Sequence, residues 1–220
     1  MPRPDLDLDR LARETYSAVH SDVLDAEGWR GQTMEPGARR VAGPSGVLVG
    51  WARTAVSRPV EAEPARPYGG EIDFIDSLGP GDVVVLDCSR RPAAAWGELF
   101  STASAGRGAR GALVDGYVRD LAKIDALDRF PVYGRGARPT DSLGRVTLSE
   151  CDRPVVAYGV TVHPGDLVVC DRDGVTVVPA SQAERAADLA REKAFKEDGA
   201  RDLLLAGGYL REVWERFRVL

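Results

Sequence analysis

Apolar residues at helical spacing mark the N-terminal part of the chain. Between Leu6 and Leu24 they lie near helical spacing, at Leu8, Leu11, Tyr16, Val19, Val23 and Leu24, which predicts an amphipathic helix. Asp5 or Asp7 is suited to cap the start of this helix, and Gly28 is suited to close it.

A second helical pattern lies near the C-terminus. Ser181–Leu205 is predicted to be a long amphipathic helix that Gly199 interrupts, and Ser181 and Glu184 have the spacing of a capping box. The tail Tyr209–Leu220 is aromatic and charged, so we expect a helix that packs on the domain or contacts another subunit.

Short apolar runs bounded by turn residues predict strands between these ends. They are Val47–Trp51, Val83–Leu86, Gly111–Val114, Phe130–Tyr133, Val155–Val162 and Gly174–Val178. Two further segments, Glu71–Leu78 and Ala93–Ala105, are predicted to be helices, whereas the proline-rich stretch 57–70 is interpreted as a loop that tunes specificity. Several strands in succession favour α/β or α+β layering over a strict parallel βαβ wind.

One turn-and-strand pattern occurs twice. PGDVVVLD at 80–87 and PGDLVVCD at 164–171 are identical at six of eight positions. The similarity is too short for a solenoid, and it predicts two similarly built units within one domain.

Composition and charge narrow the possible function classes. The 220 residues are 44% hydrophobic with a net charge of −5, which is typical of a soluble protein with one domain, predicted over 1–208, and a tail over 209–220. No basic stripe is interleaved with aromatics, so binding to nucleic acid or a membrane is not expected. The acidic start MPRPDLDLDR predicts no signal peptide and therefore a cytoplasmic protein.

Three cysteines without CxxC spacing favour small, partly buried residues over a disulfide framework or a zinc site.

Candidate chemistry is concentrated in GALVDGYVRD, residues 111–120. A turn at Asp115-Gly116 leaves the strand, so the following side chains are expected at the rim of the sheet. There Arg119 offers a planar fork for a carboxylate or oxyanion, and Asp120 offers hard oxygens for a magnesium-like ion. On spacing alone, the pair is most simply two solvated surface charges.

A second candidate is the predicted helix start Trp96–Phe100. Backbone amides in the first turn of a helix lack intrahelical partners and receive carboxylates well, and Gly97 would let a ligand approach closely. The 22-residue gap between Gly97 and Arg119 fits a helix, a turn and a strand that returns to the same sheet edge. Both groups could then face one cleft.

The C-terminal helix supplies a third candidate, because Glu192 or Glu197 could reach the site of a neighbouring subunit and act there as a base. Taken alone, both are most simply solvated charges on a helix face. Lysines occur only at 123, 193 and 196, which leaves few candidates for a Schiff-base nucleophile.

Four blocks in combination resemble a known family over roughly residues 15–205. They are GPGDVVVLD, WGELFSTASAGRGARGALVDGYVRD, PVYGRG and VHPGDLVVCDRDGVTVVP. The chain resembles the class II pyruvate aldolases of the 4-hydroxy-4-methyl-2-oxoglutarate aldolase type, a group that also includes the regulator of ribonuclease activity A.

The resemblance implies a layered β/β/α domain of the swivelling type with helices at both ends. It also implies a homotrimer, or a hexamer of two trimers, with sites between subunits. Gly97, Glu98, Leu99 and Phe100 would form the substrate loop, mainly through backbone amides. Arg119 would contact the keto oxygen and the developing enolate. The metal, Mg²⁺ or Mn²⁺, would be held by Asp120. Glu197 is the best match to the family's C-terminal acidic residue, and Glu192 is the second.

The resemblance therefore predicts metal-dependent cleavage of a 4-hydroxy-2-oxo acid to pyruvate and a second carbonyl compound, with oxaloacetate decarboxylation as a side activity. One alternative is a non-catalytic regulator that binds a ribonuclease or another protein. Another is a dedicated decarboxylase in which Ser57–Tyr68 excludes larger substrates. The regulator branch is shorter and lacks the C-terminal Glu helix, so the helix that carries Glu192 and Glu197 favours an enzyme.

Overall fold

The computed structural model describes residues 3–88 and 92–220. Its helices in these ranges are α1 (Leu8–Glu14), α2 (Ser17–Ala26), α3 (Gly69–Asp76), α4 (Glu98–Gly106), α5 (Leu121–Asp125), α6 (Ala183–Leu205) and α7 (Leu210–Phe217). Its strands there are β1 (Arg39–Ala42), β2 (Leu48–Pro59), β3 (Asp82–Asp87), β4 (Ala94–Trp96), β5 (Gly111–Asp115), β6 (Tyr117–Val118), β7 (Val132–Gly134), β8 (Gly136–Ala137), β9 (Val146–Cys151), β10 (Val155–Ala157), β11 (Val160–Val162), β12 (Leu167–Cys170) and β13 (Val175–Val178).

A mixed sheet forms the centre of the fold, with the strand order β1-β7-β5-β3-β2-β12-β13. Strands β2, β3, β5 and β7 are parallel to one another. Strand β1 pairs antiparallel with β7, β12 pairs antiparallel with β2, and β13 pairs antiparallel with β12. Strand β9 also pairs with β2, beyond the part of β2 that pairs with β12. The hairpin β10-β11 and the small sheet β4-β6-β8 complete the strands in the described part of the chain.

Alternate residues of the central strands enter two different layers. Val83 and Val85 face a core that contains the β10-β11 hairpin, whereas Val84 and Leu86 face a core that contains α3, α4 and α5. Farther along the sheet, α1, α2 and α6 pack on residues such as Val49. Because β3 is buried on both faces, its run of valines needs no polar alternation. The predicted layered β/β/α fold is confirmed.

The N-terminal segment forms two helices, so the prediction of one helix over Leu6–Leu24 was wrong. Asp7 caps α1 by accepting from the Arg10 amide at 2.8 Å. The chain then becomes extended at Thr15, and α2 begins at Ser17, whose amide donates to Asp171 at 2.7 Å. The break exists because a carboxylate from the second PGD unit caps α2, and local spacing does not reveal such a contact.

The segment Ala93–Ala105 was also assigned incorrectly as a single helix. Its first part forms β4, which pairs with β6, and its second part forms α4. Alanine favours a helix locally, and the pairing with β6 overrides this preference. The stretch 57–70 is likewise only partly a loop, because β2 extends to Pro59 and α3 begins at Gly69.

The C-terminal helix α6 is continuous through Gly199, and the predicted capping box does not form. A Cβ at position 199 would lie 3.0 Å from the Phe217 ring, so this glycine gives α7 room to pack. The predicted tail helix is present as α7, which buries Val213 against α6.

The three cysteines differ in exposure. Cys88 and Cys170 are buried, but Cys151 is exposed, unlike the predicted partly buried residue. No helix in the described ranges is long and apolar enough to cross a membrane.

The buried His20 should make stability depend on pH. Its Nε2 lies 2.9 Å from the Thr15 hydroxyl and its Nδ1 has no partner, and burial lowers its pKa from 6.5 to about 4. Between pH 6.5 and about pH 4, His20 is therefore protonated in the unfolded chain and neutral in the folded chain. The free energy of unfolding should fall across this window by about 3 kcal/mol on account of His20.

Urea unfolding of the wild type and His20→Gln between pH 4 and 7 measures this difference, with His163→Gln, at an exposed position, as the control. Equal pH dependence in the wild type and His20→Gln would contradict the prediction. If His20→Gln does not fold, the wild-type His20 ring resonance provides the test, and a midpoint near 6.5 would contradict it.

Candidate functional site

The small parallel sheet brings the two predicted site segments side by side. Strand β4 pairs with β6, with Trp96 opposite Val118, and the Arg119 amide donates to the Trp96 carbonyl at 2.9 Å. Gly97 therefore lies directly beside Arg119 and Asp120, although 22 residues separate Gly97 from Arg119 in sequence. The predicted convergence of the two segments on one cleft is confirmed by this geometry.

The two segments line a cleft of about 260 Å³. The residues that line it are Tyr68, Ile72, Ala94, Ala95, Trp96, Gly97, Glu98, Leu99, Phe100, Arg119, Asp120, Asp141 and Ser142. The cleft thus contains all of the predicted substrate-loop residues together with Arg119 and Asp120.

Gly97 is required by the close approach of its neighbours. A Cβ at this position would lie 2.8 Å from Asp120 Oδ2 and 3.2 Å from Arg119 Cγ. Because its φ of −156° is ordinary extended backbone, the constraint comes from space and not from backbone conformation. A missing side chain is what allows the start of α4 and the Arg-Asp pair to form one surface.

The start of α4 presents polar backbone to the cleft. Trp96 is held by its indole N–H, which donates to Ser101 Oγ at 2.8 Å, and by stacking on Phe130. The first amides of α4, beginning with Glu98, have no intrahelical acceptor. The Glu98 amide lies 3.4 Å from Asp120 Oδ2, and the Leu99 side chain is 75% exposed at the rim.

Arg119 lies between two carboxylates. Its Nε is 3.5 Å from Asp120 Oδ2 and its Nη1 is 3.1 Å from Asp141 Oδ1. Partial burial opposes ionisation of Asp141, but the Tyr68 hydroxyl, Arg119 and the Ser142 amide outweigh it and hold its pKa below the usual range. A guanidinium with five N–H donors keeps several of them for a ligand after making these two contacts.

Asp120 occupies a left-handed backbone conformation, with φ of 61°, at the N-cap of α5. Its side chain is 45% exposed, and its contacts with Glu98 N and Arg119 are long. Its oxygens are therefore available to a ligand. Backbone outliers of this kind are concentrated at functional sites.

The donor set fits a magnesium-like ion and not a zinc-like one. Asp120 provides a hard oxygen ligand, and within residues 3–88 and 92–220 no three His, Cys, Asp or Glu side chains are clustered as a complete metal site. Magnesium is often held by one or two carboxylates with water and substrate completing its shell, so Asp120 could serve as the protein ligand of such an ion.

Asp141 and Tyr68 were missed by the sequence analysis. The Tyr68 hydroxyl donates to Asp141 Oδ2 at 2.7 Å, and both residues line the cleft. Asp141 follows β8, the strand that pairs in parallel with β6. Parallel strands end at the same sheet edge, so a polar turn after β8 was the available signal, but the two-residue strand itself was not predicted.

Glu197 and Glu192 lie outside this chain's cleft. Glu197 accepts a hydrogen bond from the Tyr16 hydroxyl and lies 3.3 Å from Lys193, whereas Glu192 pairs with Lys196 on the surface of α6. Their predicted approach to the site of a neighbouring subunit remains a prediction.

Gly97→Ala should disturb the cleft because the added methyl group would push against Asp120 and Arg119. We expect a loss of about 1–3 kcal/mol in the free energy of unfolding, the usual cost of overpacking. Gly106→Ala is the matched control on the same helix, since a Cβ there meets no atom within 4 Å. Chemical denaturation of both variants measures the difference, and equal stabilities would show that the contact relaxes freely.

The amino-acid sequence is similar to a known family and to curated proteins. Residues 18–177 match the family described as RraA-like: Aldolase/RraA. A Halalkalibacterium halodurans protein provisionally named 4-hydroxy-4-methyl-2-oxoglutarate aldolase is 36% identical over 127 residues, which cover 56% of this chain and 58% of that protein. The chain thus spans a little over half the length of this curated relative.

Two solved structures share the fold of this chain over more than nine-tenths of its length. An uncharacterized Pseudomonas syringae protein has a TM-score of 0.82 at 27% identity and covers 97% of this chain and 98% of its own. Streptomyces coelicolor RraAS2, described as an unusual member of the RNase ES inhibitor RraA family, has a TM-score of 0.75 at 28% identity and covers 91% and 98%. With the family match extending over most of the sequence, the chain belongs to the RraA-like family.

Proposed function

We propose that this chain is a divalent-metal-dependent lyase that cleaves a 4-hydroxy-2-oxo acid into pyruvate and a second carbonyl compound. The observation that carries the proposal is the single cleft in which the Arg119 guanidinium, the Asp120 carboxylate and the first-turn amides of α4 lie together. Relatives provisionally named as aldolases support the same reaction class.

Each of these groups has a place in the reaction. The amides of Glu98, Leu99 and Phe100 would receive the substrate carboxylate at the positive end of α4. The Arg119 fork would donate to the 2-keto oxygen, where negative charge develops as the enolate forms. Asp120 would hold Mg²⁺ or Mn²⁺, which when bound supplies Lewis acidity to the keto group.

Bond cleavage also needs a base for the C4 hydroxyl. Glu197 of a neighbouring copy, with Glu192 as the second choice, would accept this proton in a trimer or a hexamer of trimers. As the C4 carbonyl forms, the C3–C4 bond breaks and its electron pair becomes the pyruvate enolate, which is then protonated at C3. The scarcity of lysine agrees with this route over a Schiff base.

Oxaloacetate decarboxylation would pass through the same enolate, so we expect it as a side activity. The apolar part of the cleft, which includes Ile72, Ala94 and Phe100, gives space for the second fragment of a larger substrate. The relative turnover of oxaloacetate and a 4-hydroxy-2-oxo acid would separate an aldolase from a dedicated decarboxylase.

The second candidate is a non-catalytic regulator that binds a ribonuclease or another protein. The similarity to the RraAS2 structure favours it, since that protein is described as a member of an RNase ES inhibitor family. A well-folded protein that releases no pyruvate from either substrate would support this alternative.

Arg119→Lys should reduce kcat/KM for oxaloacetate by about 10²–10³-fold, because lysine keeps the charge but loses the planar fork that meets the enolate oxygen. Arg138→Lys is the matched control, because Arg138 lies over the Tyr117 ring and not in the cleft lining. Pyruvate release followed with a coupled dehydrogenase measures both. Near-normal turnover in Arg119→Lys would reject the enolate role.

Removal of the metal should abolish pyruvate release from oxaloacetate and from 4-hydroxy-4-methyl-2-oxoglutarate. We expect activity with magnesium, none with a chelator, and a loss of about 10²-fold or more in Asp120→Asn. Asp128→Asn is the control, since Asp128 also has a positive φ but lies outside the cleft lining. Turnover that persists in the chelator, or an unimpaired Asp120→Asn, would argue against a metal on Asp120.

A further inference from the structure

Two polar side chains of the cleft have no part in the proposed reaction. Asp141 and Tyr68 face Arg119, and they form a continuous chain of contacts with it. The Tyr68 hydroxyl donates to Asp141 Oδ2 at 2.7 Å, and Asp141 Oδ1 lies 3.1 Å from Arg119 Nη1. Their position beside the guanidinium requires an explanation.

The Asp141 carboxylate is fixed at both oxygens. Its Oδ1 also accepts from the Ser142 amide at 2.7 Å, while its Oδ2 is occupied by Tyr68. The carboxylate cannot rotate without losing one of these bonds, so it presents Oδ1 to Arg119 in one orientation. Charge-assisted contacts of this kind impose direction as well as attraction.

Tyr68 is itself held in an unusual conformation. Its φ of 55° is left-handed, which is uncommon for a large aromatic residue. Around it, the Gly69 amide donates to the Arg66 carbonyl at 3.1 Å, and the Ile72 amide donates to the Tyr68 carbonyl at 2.9 Å. Arg66 also forms two hydrogen bonds with Asp73 on α3, at 2.7 and 2.8 Å. These contacts hold the backbone around Tyr68, whose side chain lines the cleft.

The Tyr68 hydroxyl remains a hydrogen-bond donor across the physiological range. Partial burial, the hydrogen bond to Asp141 and its negative charge raise the pKa of Tyr68 to about 12. Its proton therefore stays available to Asp141, and Asp141 in turn stays ionised beside Arg119.

We propose that Tyr68 and Asp141 are positioning residues that hold the Arg119 guanidinium in the orientation needed to meet the substrate's keto oxygen. Asp141 Oδ1 contacts Nη1 at 3.1 Å, whereas the contact of Asp120 Oδ2 with Nε is longer, at 3.5 Å, so Asp141 is the carboxylate that orients the guanidinium. The catalytic consequence rests on the proposed lyase function, whereas the orientation of Arg119 does not.

The same contacts connect the proline-rich stretch to the site. Within 57–70, Tyr68 lines the cleft, and its hydroxyl is linked to Arg119 through Asp141. A change in this stretch that moves Tyr68 would therefore alter the orientation of Arg119 through Asp141.

Steady-state kinetics with oxaloacetate test the proposal through the division between kcat and KM. Tyr68→Phe should lower kcat about tenfold and Asp141→Asn about a hundredfold, each with less than about a threefold change in KM, because a misplaced guanidinium fails mainly in the transition state. Tyr117→Phe, two residues before Arg119 in sequence but outside the cleft lining, should leave both parameters unchanged. A raised KM with normal kcat, or wild-type values in both variants, would overturn the positioning role.

A double variant separates action through Arg119 from independent action. If Tyr68 acts only by positioning Arg119, Tyr68→Phe should cause little further loss in an Arg119→Lys background. Additive losses in kcat would overturn the proposal, since they would show that Tyr68 acts on the substrate by another route.

A measurement without turnover keeps this proposal distinct from the proposed function. The Arg119 Nε–Hε resonance, assigned by its loss in Arg119→Lys, should report restricted rotation of the guanidinium in the wild type and faster rotation in Tyr68→Phe and Asp141→Asn. If the wild type releases no pyruvate but shows this change, the lyase function fails and the positioning holds. If it is active but the resonance is identical in all three proteins, the positioning fails and the lyase function holds.

Discussion

Parallel pairing of β3 with β5 is the constraint on which the rest of the site depends. The two strands end level with each other, at Asp87 and Asp115, and the chain must turn immediately after β5. The residue at this turn is Gly116, and a larger residue would not fit, because a Cβ there would lie 2.8 Å from Cys88 Cβ. The buried Asp115 accepts from the Tyr158 amide and pairs with Arg135, so the turn also ties the sheet to the β-hairpin layer. The candidate site therefore begins where the buried central strands end.

Beyond this turn, the site is assembled from backbone as much as from side chains. The three short strands β4, β6 and β8 align their ends, and the residues that follow them are Gly97, Arg119 and the turn leading to Asp141. The resulting cleft contains one guanidinium and the carboxylates of Glu98, Asp120 and Asp141. This excess of negative charge suits a divalent cation better than an unaccompanied anionic substrate, which agrees with the metal in the proposed reaction.

Features set by local sequence were predictable, and those set by distant contacts were not. Strand β5, the Arg119-Asp120 pair after it and the tail helix follow from apolar runs and turn residues within a few positions. The break at Thr15 depends on Asp171, and strand β4 depends on β6, so neither has a local signal. At Gly199 the local signal itself was misleading. The glycine predicted an interruption of the helix, but it allows α7 to pack closely against α6. Tyr68 and Asp141 meet across 73 positions, which explains why sequence patterns found only one half of the site.

The length of β2 has a consequence for how the chain folds while it is being synthesised. One edge of β2 pairs with β3 soon afterwards in sequence, but the other is completed by β12 and β9, which begin about a hundred residues later. Until those residues leave the ribosome, a strand of twelve mostly buried residues has an open edge able to pair with other chains. Contacts over such separations also slow folding. The nascent protein is therefore most exposed to aggregation in the interval before the second PGD unit is translated, and a chaperone would act most usefully in that interval.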